Sequence, residues 1–131
     1  MVRRFEDKRV FVTAASVGIG FEICRQFVDE GAVVGLNARR RETTQEAVER
    51  LGSEYPHSKI TAFPCDIDDV QNIQASIRRI AEDNQGIDVF VANDGIPIFA
   101  PIQDVQPDEL DHLMHVNMRG TYYSVQEAAM Q

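Results

Sequence analysis

Short apolar runs alternate along the chain with longer stretches in which apolar residues recur at helical spacing. Four of the runs have the length and the composition of buried strands, and they cover residues 10–12, 32–36, 60–63 and 87–92. Because the second run is apolar at successive positions, it is typical of a parallel strand that is covered on both faces. The pattern therefore predicts four strands separated by helices.

The first two helices are bounded by recognisable start and stop signals. The first presents Ile19, Ile23 and Phe27 on one face and ends at Gly31. The second is predicted from the capping-box pattern at residues 43–46, and it extends to about Tyr55, because Pro56 ends it.

Three more helices follow in the second half of the chain. Asp68 with Gln71 forms a capping pattern ahead of a helix whose apolar stripe contains Val70, Ile73, Ile77 and Ile80. A fourth helix is predicted to begin at Pro107-Asp108-Glu109 and to bury Leu110, Leu113 and Met114. A fifth is predicted to begin at about Asn117.

Strands that are joined by helical crossovers imply an α/β fold with a doubly wound parallel sheet. Right-handed connections give the strand order 3-2-1-4. We expect residues 1–131 to form one domain, since 131 residues with 44% hydrophobic content can build a modest core. In such a sheet the ligand crevice lies at the carboxyl ends of strands one and four, where the winding reverses.

The composition excludes several classes of function. A net charge of −8 argues against binding to nucleic acid or to an anionic membrane surface. No apolar run approaches the roughly 20 residues of a membrane span, and the first residues lack the apolar core of a signal peptide. Cys24 and Cys65 are too few for a disulfide framework or a metal knuckle. We therefore expect a cytoplasmic protein with reduced thiols.

The chemistry of the chain centres on Thr13-Ala14-Ala15-Ser16-Val17-Gly18-Ile19-Gly20. This stretch follows the first strand and opens the first helix. Backbone N–H groups and the positive end of a helix in such a turn can bind a pyrophosphate, and glycines allow the close approach of the backbone.

The same stretch resembles the Thr-Gly-x-x-x-Gly-x-Gly cofactor loop of the short-chain dehydrogenase/reductases, except that Ala14 replaces the first glycine. The resemblance extends from Phe5 to Gln131 and implies a Rossmann-type fold, a dinucleotide cofactor, and hydride transfer involving a small-molecule carbonyl or alcohol. It also implies that the cofactor contacts members of this loop, namely Thr13, Ala14, Ser16, Gly18, Ile19 and Gly20.

Arginines follow the second strand, where such folds meet the adenosine ribose. In the family an acidic residue commonly stands at the position of Ala38, and here Arg39 follows it. A guanidinium pairs well with a 2′-phosphate, which favours NADP over NAD. The alternative is a solvated basic start to a helix, which the helix dipole would disfavour.

The resemblance assigns further cofactor contacts at the ends of strands three and four. It places Asp66 at the adenine amino group and Ile67 beside the ring, although Asp66 is also a candidate helix cap. Asn93 and Gly95 match part of the Asn-Asn-Ala-Gly segment, in which Asp94 replaces the alanine. This carboxylate would disfavour an anionic cofactor unless solvent or Arg119 screens it, and a simple Asn-Asp-Gly turn is the alternative.

One member of the family's catalytic Asn-Ser-Tyr-Lys tetrad has a counterpart, Asn117, within His115-Val116-Asn117-Met118-Arg119-Gly120. In the family this residue helps to hold a water and the lysine of the proton relay, whereas a capping or helix-bending Asn is the alternative. His112 and His115 are three residues apart but lack a third ligand, so no metal site is expected.

The catalytic Ser and the Tyr-x-x-x-Lys motif have no counterpart in these 131 residues. Tyr55 and Lys59 have the right spacing, but Pro56 prevents the single helix that would align them. We therefore expect a truncated, inactive cofactor-binding half. Its self-association is expected through the exposed edge of strand four or the last helix. The alternatives are a non-catalytic nucleotide- or partner-binding module and, less favoured because of Arg39, another Rossmann-type enzyme such as a methyltransferase.

Overall fold

Four parallel strands form one sheet in the order β3-β2-β1-β4, which confirms the predicted topology. The structure is a computed structural model and describes residues 2–131. The strands are β1 (Arg9–Val12), β2 (Val33–Ala38), β3 (Lys59–Pro64) and β4 (Val89–Val91). β2 extends two residues beyond the predicted run, and β4 is shorter than predicted.

Helices connect the strands and continue after β4. They are α1 (Gly18–Asp29), α2 (Arg41–Glu54), α3 (Val70–Asn84), α4 (Pro107–Met114) and α5 (Thr121–Ala129). A 3₁₀ turn covers Ile102–Asp104, and a π-helical segment, His115–Gly120, joins α4 to α5. Among the described residues, no helix combines the length and the apolar character that crossing a membrane requires.

Alternating side chains of β1 fill the two cores on opposite faces of the sheet. Val10 and Val12 pack with residues of α1 and α2, whereas Phe11 packs with residues of α3. Gly35 of β2 faces α3 so closely that a Cβ there would lie 2.3 Å from Cδ1 of Ile80. Both faces of the sheet are thus covered, as a doubly wound sheet requires.

The caps of α2 and α3 differ from the predicted ones. α2 begins at Arg41, so Thr43 and Thr44 lie inside its first turn, and their hydroxyls donate to the carbonyl of Arg40 instead of capping an N–H. α3 is capped one residue later than predicted, because Oδ1 of Asp69 accepts from the backbone N–H of Asn72 at 3.2 Å.

The predicted burial of α4 is wrong. None of its residues is buried, and Leu110 and Met114 are 50% and 41% exposed. The helix also does not stop before Asn117, because the π-helical segment carries the helical backbone on into α5. After β4, the π-helical segment packs on the sheet through Val116, and α5 contacts α3.

A charged cluster joins β1 and β4 at their amino ends. Arg9 pairs with Asp88 through both its Nε and its Nη2, at 2.6 and 2.9 Å, and it also donates to the carbonyls of Asn84 and Gln85. The guanidinium beside Asp88 holds the pKa of that carboxyl well below its usual range. This cluster fixes the short edge strand to the centre of the sheet.

Candidate functional site

The loop between β1 and α1 adopts the backbone that the glycine pattern predicts. Ala14 and Gly18 have φ values of +50° and +61°, both in the left-handed region. A Cβ on Gly20 would lie 2.4 Å from the carbonyl oxygen of Ala14 and 2.6 Å from Nδ2 of Asn93, so only glycine allows this contact. A Cβ on Gly18 would meet nothing within 4 Å, which leaves its backbone open to a ligand.

The first turn of α1 suits an anion. Val17 supplies no side-chain cap, and no acidic residue occupies the first turn. The backbone N–H groups there therefore keep their positive potential. Ile19 is 76% exposed beside them, and Ser16 is half-buried in the preceding loop. Gly18 is accessible, the first turn of α1 is uncapped, and Gly20 packs closely against the loop. Together these features fit the pyrophosphate of a dinucleotide.

Thr13 and Asn93 fasten this loop to the end of β4. The hydroxyl oxygen of the fully buried Thr13 accepts from the backbone N–H of Asn93 at 3.0 Å. The side-chain Nδ2 of Asn93 donates to the carbonyl of Ala14 at 3.2 Å. Three residues predicted to contact the cofactor are therefore brought together at the crevice.

Two residues at the end of β2 have different roles: Asn37 is structural, and Arg39 is exposed. Asn37 is 1% exposed, and its Nδ2 donates to the carbonyls of Phe63 and Cys65 at 2.7 and 3.1 Å. Its own carbonyl accepts from the N–H of Ala15 at 2.8 Å. Asn37 thus ties β3 and the loop to β2, a role that the sequence hinted at only through an amide at the end of an apolar strand. Arg39 lies exposed just beyond.

Asp66 and Ile67 follow β3 and have separate surroundings. Oδ1 of Asp66 accepts from the N–H of Asp68 at 3.1 Å, so this carboxylate stabilises a turn and does not cap α3. Ile67 is 3% exposed within the core beneath α3, and Gly120 packs against it. Little of the Ile67 side chain is accessible to an adenine ring, and the contacts predicted for both residues remain predictions.

Asn117 lies in the π-helical segment and binds the loop after β4. Its Oδ1 accepts from the N–H of Ile96, and its Nδ2 donates to the carbonyl of Ile96, both at 2.8 Å. Gly95 lies beside this pair, since a Cβ there would be 3.9 Å from Oδ1 of Asn117. Because both side-chain groups are engaged, the side chain of Asn117 holds this loop in place in the structure.

In the sequence, Asp94 lies between Asn93, which binds Ala14, and Ile96, which binds Asn117. Its Oδ2 is buried without a hydrogen-bond partner. Burial raises the pKa of the Asp94 carboxyl and the charge of Asp66 adds to this, whereas the Thr13 hydroxyl lowers it. The suggested screening by Arg119 is not found, because its guanidinium lies 5.7 Å over the ring of Tyr123 and makes no ion pair with Asp94 in residues 2–131.

Among the described residues, the other titratable groups do not assemble into a second centre. Within residues 2–131, no three His, Cys, Asp or Glu side chains are arranged to hold a metal ion. Cys24 is buried, which raises the pKa of its thiol to about 12, and burial also raises the pKa of Cys65. Neither thiol is poised as a nucleophile.

Known proteins match this chain over nearly its whole length. A family model described as short chain dehydrogenase matches residues 8–131. The chain is 30% identical over 129 residues to a 3alpha-hydroxysteroid dehydrogenase of Mediterraneibacter gnavus, with 98% of this chain and 52% of the relative covered. It is 35% identical over 129 residues to a glucose 1-dehydrogenase of Gluconobacter oxydans, with 95% and 46% covered.

Solved structures match the backbone as well. A dehydrogenase/reductase from Sinorhizobium meliloti has a TM-score of 0.91 at 29% identity, with 99% of this chain and 51% of that chain covered. A short chain dehydrogenase from Burkholderia cenocepacia in complex with NADP has a TM-score of 0.90 at 29% identity, with 98% and 52% covered. The chain spans about half the length of the relatives it matches. Its sequence and its fold both place it in the short-chain dehydrogenase/reductase family of oxidoreductases.

Proposed function

We propose that this chain is the cofactor-binding part of an NADP(H)-dependent oxidoreductase that interconverts a carbonyl and an alcohol. The observation that carries the proposal is the β1–α1 loop, in which Gly18 is open to a ligand and Gly20 seats α1 against Ala14 and Asn93. Hydride transfer is the chemistry that a bound nicotinamide would supply. The residues of this chain would bind the pyrophosphate and shape the crevice.

Arg39 supports the preference for the phosphorylated cofactor. It follows β2 directly and is exposed, and it has no ion pair within residues 2–131. A guanidinium in this position is free to form two hydrogen bonds with a 2′-phosphate. The Burkholderia cenocepacia relative, whose structure contains NADP, is consistent with this choice.

We infer that these 131 residues do not supply the group for proton transfer. Tyr55 follows α2 and Lys59 begins β3, so this pair lies outside any helix and at the amino ends of the strands. Lys8 precedes β1, again opposite the crevice. Without an acid that can protonate the substrate oxygen, we expect the chain by itself to bind cofactor and not to turn over.

The test measures the affinities of NADPH and NADH for the chain and for Arg39→Ala, by the change in nicotinamide fluorescence. We expect NADPH to bind more tightly, and Arg39→Ala to weaken it by about tenfold or more, since a hydrogen bond to a charged group contributes about 1.5–3 kcal/mol. Arg79→Ala, on the exposed face of α3, is the matched control and should leave both affinities unchanged. Equal affinities for the two cofactors in the unmodified chain would refute the preference.

A non-catalytic partner-binding module is the second candidate function. It is favoured by β4, which is an edge strand of half-buried residues, and by the exposed side chains of Tyr122, Val125 and Ala129 on α5. NADPH oxidation with a panel of ketones and aldehydes separates this candidate from an enzyme. Turnover that survives repurification would exclude it and would reveal a proton donor in this chain.

A further inference from the structure

Among the described residues, Asp94 is a polar residue of the crevice whose surroundings do not fit an anionic ligand. Three other polar side chains there have partners, since Thr13 binds Asn93, Asn93 binds Ala14, and Asn117 binds Ile96. Oδ2 of Asp94 has none, although it is buried; the Thr13 hydroxyl favours the charged form of this carboxyl, but burial has the larger effect on its pKa. A buried carboxylate oxygen without a donor is unfavourable as a charge and acceptable as a neutral acid.

The charged groups around Asp94 do not stabilise the charged form of its carboxyl. The β1–α1 loop that packs against it contains no charged residue between Thr13 and Gly20. The segment after β3 brings a second carboxylate, Asp66, close enough to raise the pKa of Asp94. From the π-helical segment, His115 is exposed and Arg119 lies over Tyr123, and neither forms an ion pair with Asp94 in residues 2–131.

We propose that Asp94 acts as a proton-operated switch on the crevice, which admits the anionic cofactor when Asp94 is a neutral acid and disfavours it when Asp94 is a carboxylate. The proposal rests on the proposed function, because it concerns the same crevice. Asp94 directly follows Asn93, which together with Thr13 fastens the glycine loop, so a negative charge at Asp94 would repel phosphates bound at the first turn of α1. The neutral acid adds no such repulsion, and its buried O–H becomes a donor.

The pH dependence of binding follows from which protonation form of Asp94 is favoured in the free protein and in the complex with the ligand. Burial favours the protonated form of Asp94, and an anionic ligand nearby favours it further. Binding of the ligand is therefore coupled to uptake of a proton, and affinity falls as the pH rises. The 2′-phosphate of the cofactor itself titrates at about pH 6, so the effect of Asp94 has to be read as a difference between variants.

The experiment measures the dissociation constant of NADP⁺ by calorimetry from about pH 4, the ordinary range of a carboxyl group, to about pH 8.5. The proteins are the unmodified chain, Asp94→Asn, Asp94→Ala and the control Asp83→Asn, an exposed carboxylate on α3. Circular dichroism establishes whether each protein is folded. Two different substitutions at position 94 are used so that the test can still be made if one variant does not fold. We expect affinity to weaken with rising pH about tenfold more in the unmodified chain than in the Asp94 variants, a size set by like-charge repulsion across the crevice. The control should follow the unmodified chain.

The outcomes separate this inference from the proposed function. Binding in all four proteins with the same pH dependence would overturn the switch and leave NADP binding standing. Binding that is equally weak at every pH in the unmodified chain, yet strong in Asp94→Asn, would also overturn the proton linkage. No binding by any folded variant at any pH would overturn both proposals together.

Discussion

Replacing Ala14 by glycine should stabilise the protein, because Ala14 holds a backbone conformation that glycine adopts more easily. Its φ is +50°, in the left-handed region. The hydrogen bond from Nδ2 of Asn93 to its carbonyl holds the residue in that conformation. That region costs an L-residue about 1–2 kcal/mol, and glycine loses about 0.5–1 kcal/mol more conformational entropy than alanine on folding. The balance favours Ala14→Gly by about 0.5–1 kcal/mol, or roughly 2–4 °C in melting temperature for a chain of this size.

Thermal unfolding followed by circular dichroism measures the shift. The matched control is Ala15→Gly, one residue along, because Ala15 is fully buried in the core beneath α1 and is not among the residues with positive φ. There the substitution loses a buried methyl group and gains unfolded-state entropy, so we expect destabilisation by about 1–2 kcal/mol. If Ala14→Gly were neutral or destabilising while Ala15→Gly behaved as expected, strain at Ala14 would be refuted.

Three further predictions concern other parts of the molecule. Asn117→Ala should raise the hydrogen-exchange rate of the Ile96 amide, since that amide loses its acceptor; an unchanged rate would show that the bond does not protect it. Asp88→Asn should lower the melting temperature at neutral pH. The folded-state pKa of Asp88 is depressed, so its stabilisation by Arg9 is present above the ordinary carboxyl pKa and fades in acid, and the difference from the unmodified chain should shrink below about pH 4. Sedimentation at micromolar concentration should show self-association that is weakened by Tyr122→Glu, a substitution on an exposed face of α5; a folded monomer would contradict this.

The fold was predictable because its determinants are periodic and local. Buried parallel strands such as β2 consist mostly of apolar residues, and right-handed crossovers leave few possible strand orders. The positions of the helix caps were not predictable to the residue. Asp66, Asp68 and Asp69 are three similar carboxylates, and only the backbone geometry determines that Asp69 caps α3 while Asp66 stabilises the turn before it.

The burial of α4 was mispredicted for a different reason. Its apolar residues have helical spacing, but spacing does not reveal whether a partner exists, and the described residues supply none for Leu110. The π-helical segment is likewise invisible to a pattern with a period of 3.6 residues. Contacts between residues distant in sequence, such as Asn37 with Cys65 and Arg9 with Asp88, depend on the packed sheet and have no local signal.

The strand order also determines when each edge of β1 is covered during synthesis. Val10 pairs with Val34 on one side and with Val89 on the other, so its first neighbour leaves the ribosome long before its second. Through that interval β1 presents an apolar, hydrogen-bonding edge to the other chains in its surroundings. β1, which has a neighbour on each side in this sheet, therefore has one edge open to mispairing through most of the synthesis of this chain.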